Sequence, residues 1–150
     1  CYSFPKIRAV PNSNISIGNN VTFGFNCTLE ITKTGKLAIG NGVNITQNVL
    51  LSRASEISID EHTLIGENVS IRDANHGVAK DELIQLQKAI AAPIKIGKDV
   101  WIGANALILK GAKIPDGVVI GAQSLVLEKS TLEPYTVYAG SPVKQIKPRD

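Results

Sequence analysis

An aliphatic residue returns at every sixth position along the second half of this 150-residue chain. The series comprises Ile96, Ile102, Ile108, Ile114, Ile120, Val126 and Leu132. Four positions after the first six members stand small or β-branched residues, namely Val100, Ala106, Ala112, Val118, Ser124 and Ser130. A period of six matches neither the 3.6 residues of an α-helical turn nor the simple alternation of one long strand. The repeat therefore predicts short strands joined by regular corners. In each repeat the aliphatic residue and the small residue four positions later are expected to point inward.

The same period runs through the first half of the chain with two interruptions. Its members are Ile17, Phe23, Leu29, Ile39, Ile45, Leu51, Ile59, Ile65 and Ile71. The phase slips by a few residues at 33–37 and again at 56–57, which we interpret as small bulges at corners. Three strands to a coil, with coils stacked in parallel, would bury one continuous aliphatic column. The sequence thus predicts an all-β solenoid that forms a single domain over residues 1–150.

The six-residue period stops over residues 73–93 and resumes at Ile94 and Ile96. A loop of this length is uncommon in a compact repeat protein and usually carries function. Weak helical periodicity over residues 79–92 allows a short helical turn, and Gln85 and Gln87 could hydrogen-bond a ligand or face water. We expect function to lie on this inserted loop.

Composition excludes several classes of function. The net charge of +3 is mild and lacks the concentrated basic stripe of a nucleic-acid-binding protein. No apolar run approaches the roughly 20 residues of a membrane-spanning helix, so no membrane insertion is expected. No charged-then-apolar leader opens the chain, so we expect no secretion signal and a cytoplasmic location. The chain begins at Cys1 and not at Met, which leaves room for a missing leading segment.

The cysteines and histidines supply few sites for chemistry. Cys1 and Cys27 form neither a disulfide framework nor a metal spacing, and Cys27 occupies a small inward position of the repeat. His62 lies inside a regular repeat and is expected to be a structural residue facing solvent. His76 opens the inserted loop, three residues after Asp73, which suits a general base without establishing one. Two histidines fourteen positions apart make a poor zinc site, so no metal is expected.

Three segments resemble a known family. Residues 96–114 (IGKDVWIGANALILKGAKI), 119–126 (VIGAQSLV) and 138–147 (YAGSPVKQIK) are similar to the hexapeptide-repeat acetyltransferases, closest to galactoside, maltose and capsule-sugar O-acetyltransferases. The likeness covers almost the whole chain and is strongest from residue 73 onward. It implies a left-handed parallel β-helix, contrary to the usual right-handed crossover rule. It also implies acetyl-CoA as co-substrate and a homotrimer whose active sites lie between subunits.

The resemblance also assigns roles to individual residues. The family's catalytic histidine lies in an Asp-x-x-His segment, which matches Asp73 to His76. His76 is thereby expected to be the catalytic base, with Asp73 orienting it or holding the loop.

Coenzyme A is expected along the corners of the C-terminal coils. The family's Gly-x-x-Ala-type corners bind the pantetheine arm and map onto Gly103, Ala104 and Ala122. Lys144 and Lys147, in the basic C-terminal tail, would bind its phosphates, although such a tail could also be a solvated end. Trp101 would border the acceptor and cofactor, or else cap the core or the trimer seam.

The sequence says least about the residues that bind the acceptor and about the acceptor itself. Ser52 and Arg53 lie one coil before His76 and could reach a sugar, while Arg72 could pair with an anionic sugar or with Asp73. A sugar hydroxyl, in a capsule or other surface polysaccharide, is the acceptor that the resemblance favours.

Other functions remain open at this point. N-acetylation of an amino sugar would use the same base and the same co-substrate. A non-catalytic β-helix scaffold would need no histidine at the loop, and an ice-binding solenoid would show threonine ladders, which this sequence lacks.

Overall fold

The computed structural model describes residues 4–9 and 14–150, so Cys1 lies outside the described residues. These residues form short strands and one 3-10 turn, Ile84–Leu86. In chain order the strands are β1 (Lys6–Ala9), β2 (Asn14–Ile17), β3 (Thr22–Phe23), β4 (Thr28–Ile31), β5 (Lys36–Ile39), β6 (Asn44–Ile45), β7 (Leu50–Arg53), β8 (Glu56–Ile59), β9 (Leu64–Ile65), β10 (Ser70–Arg72), β11 (Ala74–Asn75), β12 (Ile90–Ala91), β13 (Ile94–Ile96), β14 (Trp101–Ile102), β15 (Leu107–Leu109), β16 (Lys113–Ile114), β17 (Val119–Ile120), β18 (Leu125–Val126), β19 (Thr136–Ala139) and β20 (Lys144–Pro148).

All strands except β11 and β12 assemble into three sheets that form the sides of a triangular coil. The six-stranded sheet has the order β1-β4-β7-β10-β15-β18, the five-stranded sheet β16-β13-β8-β5-β2, and the seven-stranded sheet β20-β19-β17-β14-β9-β6-β3. Successive coils place one strand in each sheet in turn, and neighbouring strands of different coils are parallel. The molecule is a left-handed β-helix of about 6 turns, which confirms the predicted fold.

The predicted aliphatic column forms the core. Ile102, Ile108 and Ile120 are fully buried. The small residue four positions after each aliphatic one is buried at Val100, Ala106, Ala112, Val118 and Ser124, and half-buried at Ser130. The slips of phase are accommodated at corners, where the chain turns between β4 and β5 and between β7 and β8. Ile17 departs from the pattern and is 43% exposed. It lies on β2, the end strand of the five-stranded sheet, which among the described residues pairs with β5 alone.

Asparagine occupies many corners because the corner demands a left-handed backbone conformation. Asn48, Asn68 and Asn105 all have φ near 60°, a region that asparagine tolerates better than most side chains. Their side chains also form a ladder between coils. Asn48 Nδ2 donates to Asn68 Oδ1 at 3.1 Å, and Asn68 Nδ2 donates to Asn105 Oδ1 at 3.3 Å. Asparagine in these repeats is thus explained by the corner geometry.

The inserted loop leaves the six-stranded sheet after β10 and enters the five-stranded sheet at β13. Strands β11 and β12 pair antiparallel at its base, and the 3-10 turn is the short helical turn that the sequence allowed. Gln87 fastens the loop internally, since its Nε2 donates to the carbonyls of Ala79 and Glu82 and its Oε1 accepts from Ala79 N–H. The Gln87 amide is therefore used by the loop itself. This three-residue turn is the one helical element among the described residues. No helix in that part of the chain has the length and apolar character needed to cross a membrane.

Asp73 holds both ends of this loop. Its carboxylate is fully buried, and Oδ1 and Oδ2 accept hydrogen bonds from the backbone N–H groups of Ala54 at 2.6 Å and Ser55 at 2.7 Å, on the preceding coil. The Asp73 N–H donates to Ser52 O at 3.2 Å, and the Asp73 carbonyl accepts from Ala92 N–H at 2.9 Å as the loop returns. One residue thus connects the start of the loop, its end and the coil beneath it.

The predicted C-terminal tail forms an additional strand. β20 pairs antiparallel with β19 at the end of the seven-stranded sheet. Arg149 then anchors the chain end, because its Nη1 donates to Asp99 Oδ2 at 2.8 Å and to Gly117 O at 3.2 Å.

Replacing a residue of the core column should destabilise the protein far more than replacing its neighbour. Ile96 is 2% exposed on β13, while Lys95 beside it is exposed. Ile96→Ala should lower the free energy of unfolding by about 2–5 kcal/mol, since it leaves a cavity in a packed core. Lys95→Ala should change it by less than about 0.5 kcal/mol. Chemical denaturation followed by circular dichroism measures both, and equal effects would contradict the inward assignment of Ile96.

Removing the Asp73 carboxylate should loosen the loop and the coil beneath it together. Asp73→Ala should destabilise the protein by about 3 kcal/mol or more, because it leaves backbone N–H groups unsatisfied and removes the charge facing the buried Arg53. Limited proteolysis should then cut the loop faster. Asp81→Ala, which removes an exposed acid of the same loop, is the matched control and should leave stability and cleavage unchanged. Wild-type stability and cleavage in Asp73→Ala would show that the loop is held by other contacts.

Candidate active site

His76 lies in an open cleft of about 720 Å³ at the corner where the six-stranded sheet gives way to the loop. Its walls include Ser52 from β7, Arg72 from β10, Asn75 and Ile90 from the loop, and Lys110 from the corner after β15. Residues far apart in the sequence meet here because equivalent positions of successive coils stack. The register places Ser52, Arg72 and Leu109 side by side on the outer face of the sheet.

The His76 side chain is exposed to this cleft. Within residues 4–9 and 14–150, no side chain or backbone group hydrogen-bonds its imidazole ring. An exposed neutral imidazole can accept a proton from a hydroxyl group placed in the cleft. The structure thus puts the predicted base where a ligand can reach it.

Asp73 forms no hydrogen bond or ion pair with the imidazole of His76. Both carboxylate oxygens are occupied by the backbone of Ala54 and Ser55, inside the molecule. Of the two roles expected for Asp73, its contacts match holding the loop.

Arg53 corrects a sequence-based expectation. Its side chain is 2% exposed and points into the core, so it does not line the cleft that Ser52 lines. The physical reason is the alternation of a strand, which turns successive side chains to opposite faces. Burial lowers the pKa of Arg53, while the charge of Asp73 raises it. Direct contact between Arg53 and an acceptor is therefore contradicted by its position.

Lys110 is the cleft residue that sequence reasoning missed. Its Nζ lies 2.9 Å from Glu128 Oε2, one coil further along. The repeat pattern contains this information. Ile71 and Ile108 are paired inward positions on neighbouring coils, so Asp73 and Lys110, each two residues later, occupy equivalent places. The stacking of these two coils places Lys110 in the same cleft as His76.

The predicted coenzyme corner lies at the opposite edge of the six-stranded sheet. Here Gly103-Ala104 stacks on Gly121-Ala122, and a Cβ at Gly103 would lie 2.7 Å from the Ala122 nitrogen. Glycine at 103 is thus required by the close approach of the next coil. The result is a corner without large side chains, formed by residues 103, 104, 121 and 122, which we call the coenzyme ridge after the ligand expected there. At the equivalent position of earlier coils the side chains are larger: Phe25, Gln47 and Glu67.

The two predicted phosphate-binding lysines differ in their surroundings. Lys144 pairs with Ala139 across β19 and β20, and Ala139 stacks against Gly121 at the end of the coenzyme ridge. Lys147 lies further along β20, where its Nζ forms an exposed ion pair with Asp150 at 2.5 Å. This ion pair lowers the pKa of Asp150. Lys144 is thus the lysine that the fold brings next to the coenzyme ridge.

Trp101 lies on a different side of the coil from His76. It is 54% exposed on the outer face of the seven-stranded sheet, paired with Leu64 and Val119. It does not line the His76 cleft. Among the described residues, no three of the His, Cys, Asp and Glu side chains group as metal ligands would. Cys27 is buried, as expected, and its Sγ donates to Thr46 O at 2.9 Å.

Comparison with known proteins agrees with the repeat and the fold. A family model described as bacterial transferase hexapeptide (six repeats) matches residues 93–128. WbbJ of Escherichia coli strain K12, named as a candidate lipopolysaccharide biosynthesis O-acetyl transferase, is 31% identical over 144 residues, covering 91% of this chain and 72% of that protein.

Solved structures of acyltransferases have the same fold. A single-residue mutant of the Bacillus cereus N-acyltransferase AntD, in complex with dTDP and coenzyme A, has a TM-score of 0.78 at 27% identity, covering 97% of this chain and 78% of that one. A hexapeptide-repeat acetyltransferase of Vibrio cholerae, VCA0836, complexed with acetyl-coenzyme A, has a TM-score of 0.62 at 27% identity, covering 90% and 71%.

The match to WbbJ extends over more than two thirds of both chains, and the repeat, the coils and the inserted loop are all present here. The chain belongs to the hexapeptide-repeat acetyltransferases, which are acyl-CoA-dependent enzymes.

Proposed function

We propose that this protein transfers the acetyl group of acetyl-CoA to a hydroxyl of a sugar acceptor, with His76 as the general base. The observation that carries the proposal is the exposed imidazole of His76, which has no hydrogen-bond partner among the described residues and lies in a cleft that Ser52, Arg72 and Lys110 also line. The name of WbbJ, which refers to lipopolysaccharide biosynthesis, supports a surface polysaccharide or its precursor as the acceptor. A cytoplasmic location belongs to the same proposal, because acetyl-CoA is supplied there.

The chemistry follows from the weakness of the nucleophile. A sugar hydroxyl is almost entirely protonated near neutral pH, so its oxygen needs a base as it attacks the thioester carbonyl. His76 accepts that proton while the new C–O bond forms. The tetrahedral intermediate collapses with cleavage of the C–S bond, and the imidazolium returns the proton to the leaving thiolate. The products are the acetyl ester and free coenzyme A, with no covalent enzyme intermediate.

The residues that hold acetyl-CoA in this proposal lie on the coenzyme ridge. With glycine at 103 and alanine at 104 and 122, no large side chain shields the backbone between the coils. That surface fits the narrow, amide-containing pantetheine arm. Lys144, next to the end of the ridge, supplies a charge for the phosphates, and a backbone N–H of a neighbouring coil would stabilise the oxyanion.

A trimer with active sites between subunits completes the proposal. Within one chain the coenzyme ridge and the His76 cleft lie at opposite edges of the six-stranded sheet, separated by a strand of about 10 Å. A second copy could bring its own ridge to the cleft. Leu64 and Trp101 form part of an apolar row on the outer face of the seven-stranded sheet, 48% and 54% exposed, which suits such an interface.

A second candidate function is N-acetylation of an amino sugar. Its support is the structural likeness to AntD, an N-acyltransferase. The two functions differ in the bond formed, since an acetyl ester is cleaved by hydroxylamine and an amide is not. A non-catalytic scaffold is less well supported, because it gives no reason for the exposed histidine in the cleft.

Replacing His76 should remove most of the activity without affecting the fold. With acetyl-CoA and a panel of sugars, His76→Ala should lower kcat at least about hundredfold, which is the usual contribution of a general base. Thiol release measures the rate, and mass spectrometry of the product identifies the acceptor.

The matched control is His62→Asn. His62 is exposed at a corner with φ of 60°, and asparagine occupies such corners elsewhere in this chain. This variant loses a histidine without touching the cleft and should keep wild-type activity. If His76→Ala retains wild-type kcat while acetyl-CoA still binds, the assignment of the base fails.

Adding bulk to the coenzyme ridge should weaken acetyl-CoA binding selectively. Gln47 shows that the corner position of Ala104 accepts a long side chain, so Ala104→Gln should fold normally. The side chain would cover the backbone, and the KM for acetyl-CoA should rise at least about tenfold, or roughly 1.4 kcal/mol. Ala38→Gln, the same change on the exposed face of the five-stranded sheet, is the control. An unchanged KM in Ala104→Gln would place the coenzyme elsewhere.

A further inference from the structure

The charged walls of the His76 cleft are all cationic. Arg72 and Lys110 line it, while the other lining residues are neutral or are His76 itself. Within the described part of the chain, no Asp or Glu side chain lines this cleft. A cleft that is lined by two cations and by no carboxylate attracts an anionic ligand.

Arg72 presents a free hydrogen-bonding fork. Its side chain is exposed, and its Nε donates to Ser70 Oγ at 3.1 Å. Neither Nη1 nor Nη2 has a hydrogen-bond or ion-pair partner among residues 4–9 and 14–150. The adjacent acid, Asp73, is buried on the backbone of the preceding coil, so it does not neutralise Arg72. The sequence left two partners open for Arg72, an anionic sugar or Asp73, and the structure excludes Asp73.

Lys110 is the second cation that lines the cleft. Its ion pair is with Glu128, whose side chain is 61% exposed and lines an adjoining groove instead of the His76 cleft. The Lys110 side chain is 22% exposed, and because the Glu128 end of the pair faces solvent, the pair is weaker than a fully buried one. Lys129 lines that adjoining groove as well, so this side of the molecule remains net positive.

We propose that the acceptor sugar carries a carboxylate or phosphate group close to the hydroxyl that is acetylated, and that Arg72 binds this group. The inference rests on the proposed function and specifies its substrate class. The planar guanidinium donates two parallel hydrogen bonds to an oxyanion, a geometry that fixes orientation as well as position. Ser52, beside Arg72 in the register, adds a hydroxyl donor, and Lys110 adds a second charge from the next coil.

Matched acceptors test this directly. The methyl glycoside of glucuronic acid is compared with its uncharged amide, N-acetylneuraminic acid with its methyl ester, and a sugar phosphate with the parent sugar. Thiol release gives kcat and KM for each. The wild type should prefer the charged member of at least one pair by about tenfold or more in kcat/KM, and the pair that responds distinguishes a carboxylate from a phosphate.

Variants then assign the preference to Arg72. Arg72→Gln should reduce the charged-to-neutral ratio to less than about threefold, through the KM for the charged acceptor, and Arg72→Lys should restore part of it. Lys113→Gln removes an exposed cation on the five-stranded sheet and should leave the ratio unchanged. Thermal denaturation confirms that each variant is folded, as expected for changes at exposed positions.

The outcomes separate this inference from the function beneath it. Acetyl transfer that depends on His76 but proceeds equally well with charged and neutral acceptors would overturn the inference alone. So would a rise in the KM for acetyl-CoA in Arg72→Gln with an unchanged acceptor ratio, because the guanidinium would then serve the coenzyme. Absence of acetyl transfer to any acceptor, charged or neutral, would overturn both.

Discussion

The parallel stacking of coils is the constraint on which the rest of this structure depends. Backbone N–H groups of one coil donate to carbonyls of the next, as from Gly66 to Ile102 at 2.8 Å and from Gly103 to Ile120 at 2.7 Å. Each position therefore lies over its equivalent, and side chains form columns along the molecule. Inward columns are mostly aliphatic or small, with the facing charges of Arg53 and Asp73 as an exception. Many corners require a left-handed backbone, so outward columns and insertions are the positions freest to carry chemistry.

The inserted loop is compatible with this stacking because Asp73 accepts the backbone hydrogen bonds of the coil beneath at the corner where the loop begins. Its buried carboxylate binds the coil beneath, and its backbone binds the returning chain. The result is a histidine on a loop whose base is hydrogen-bonded to the coil beneath it. The same stacking brings Ser52, Arg72 and Lys110 from successive coils to one wall, so a substrate at His76 meets side chains that are far apart in sequence.

The repeat made most of the fold predictable, but the site only in part. His76 and the interruption at 73–93 could be read from the sequence, because each breaks a regular pattern. Arg53 could not be excluded from the cleft without knowing which face of its strand the side chain occupies. Lys110 could not be assigned to the cleft without the register between the coils on either side of the loop. Trp101 was associated with the cleft by resemblance, while the three-sided coil puts it on another face of the same chain.

The sequence by itself determined that this chain forms a β-helix with one insertion, since a six-residue period admits few other folds and local propensity, corners and core all agree with it. The tertiary structure decided which side chains share a cleft, which face solvent and which are held by the core. These depend on the register between coils and on where the loop returns, and both are set by long-range hydrogen bonds. A local pattern cannot specify such contacts, so the cationic wall beside His76 became visible only once the coils were stacked.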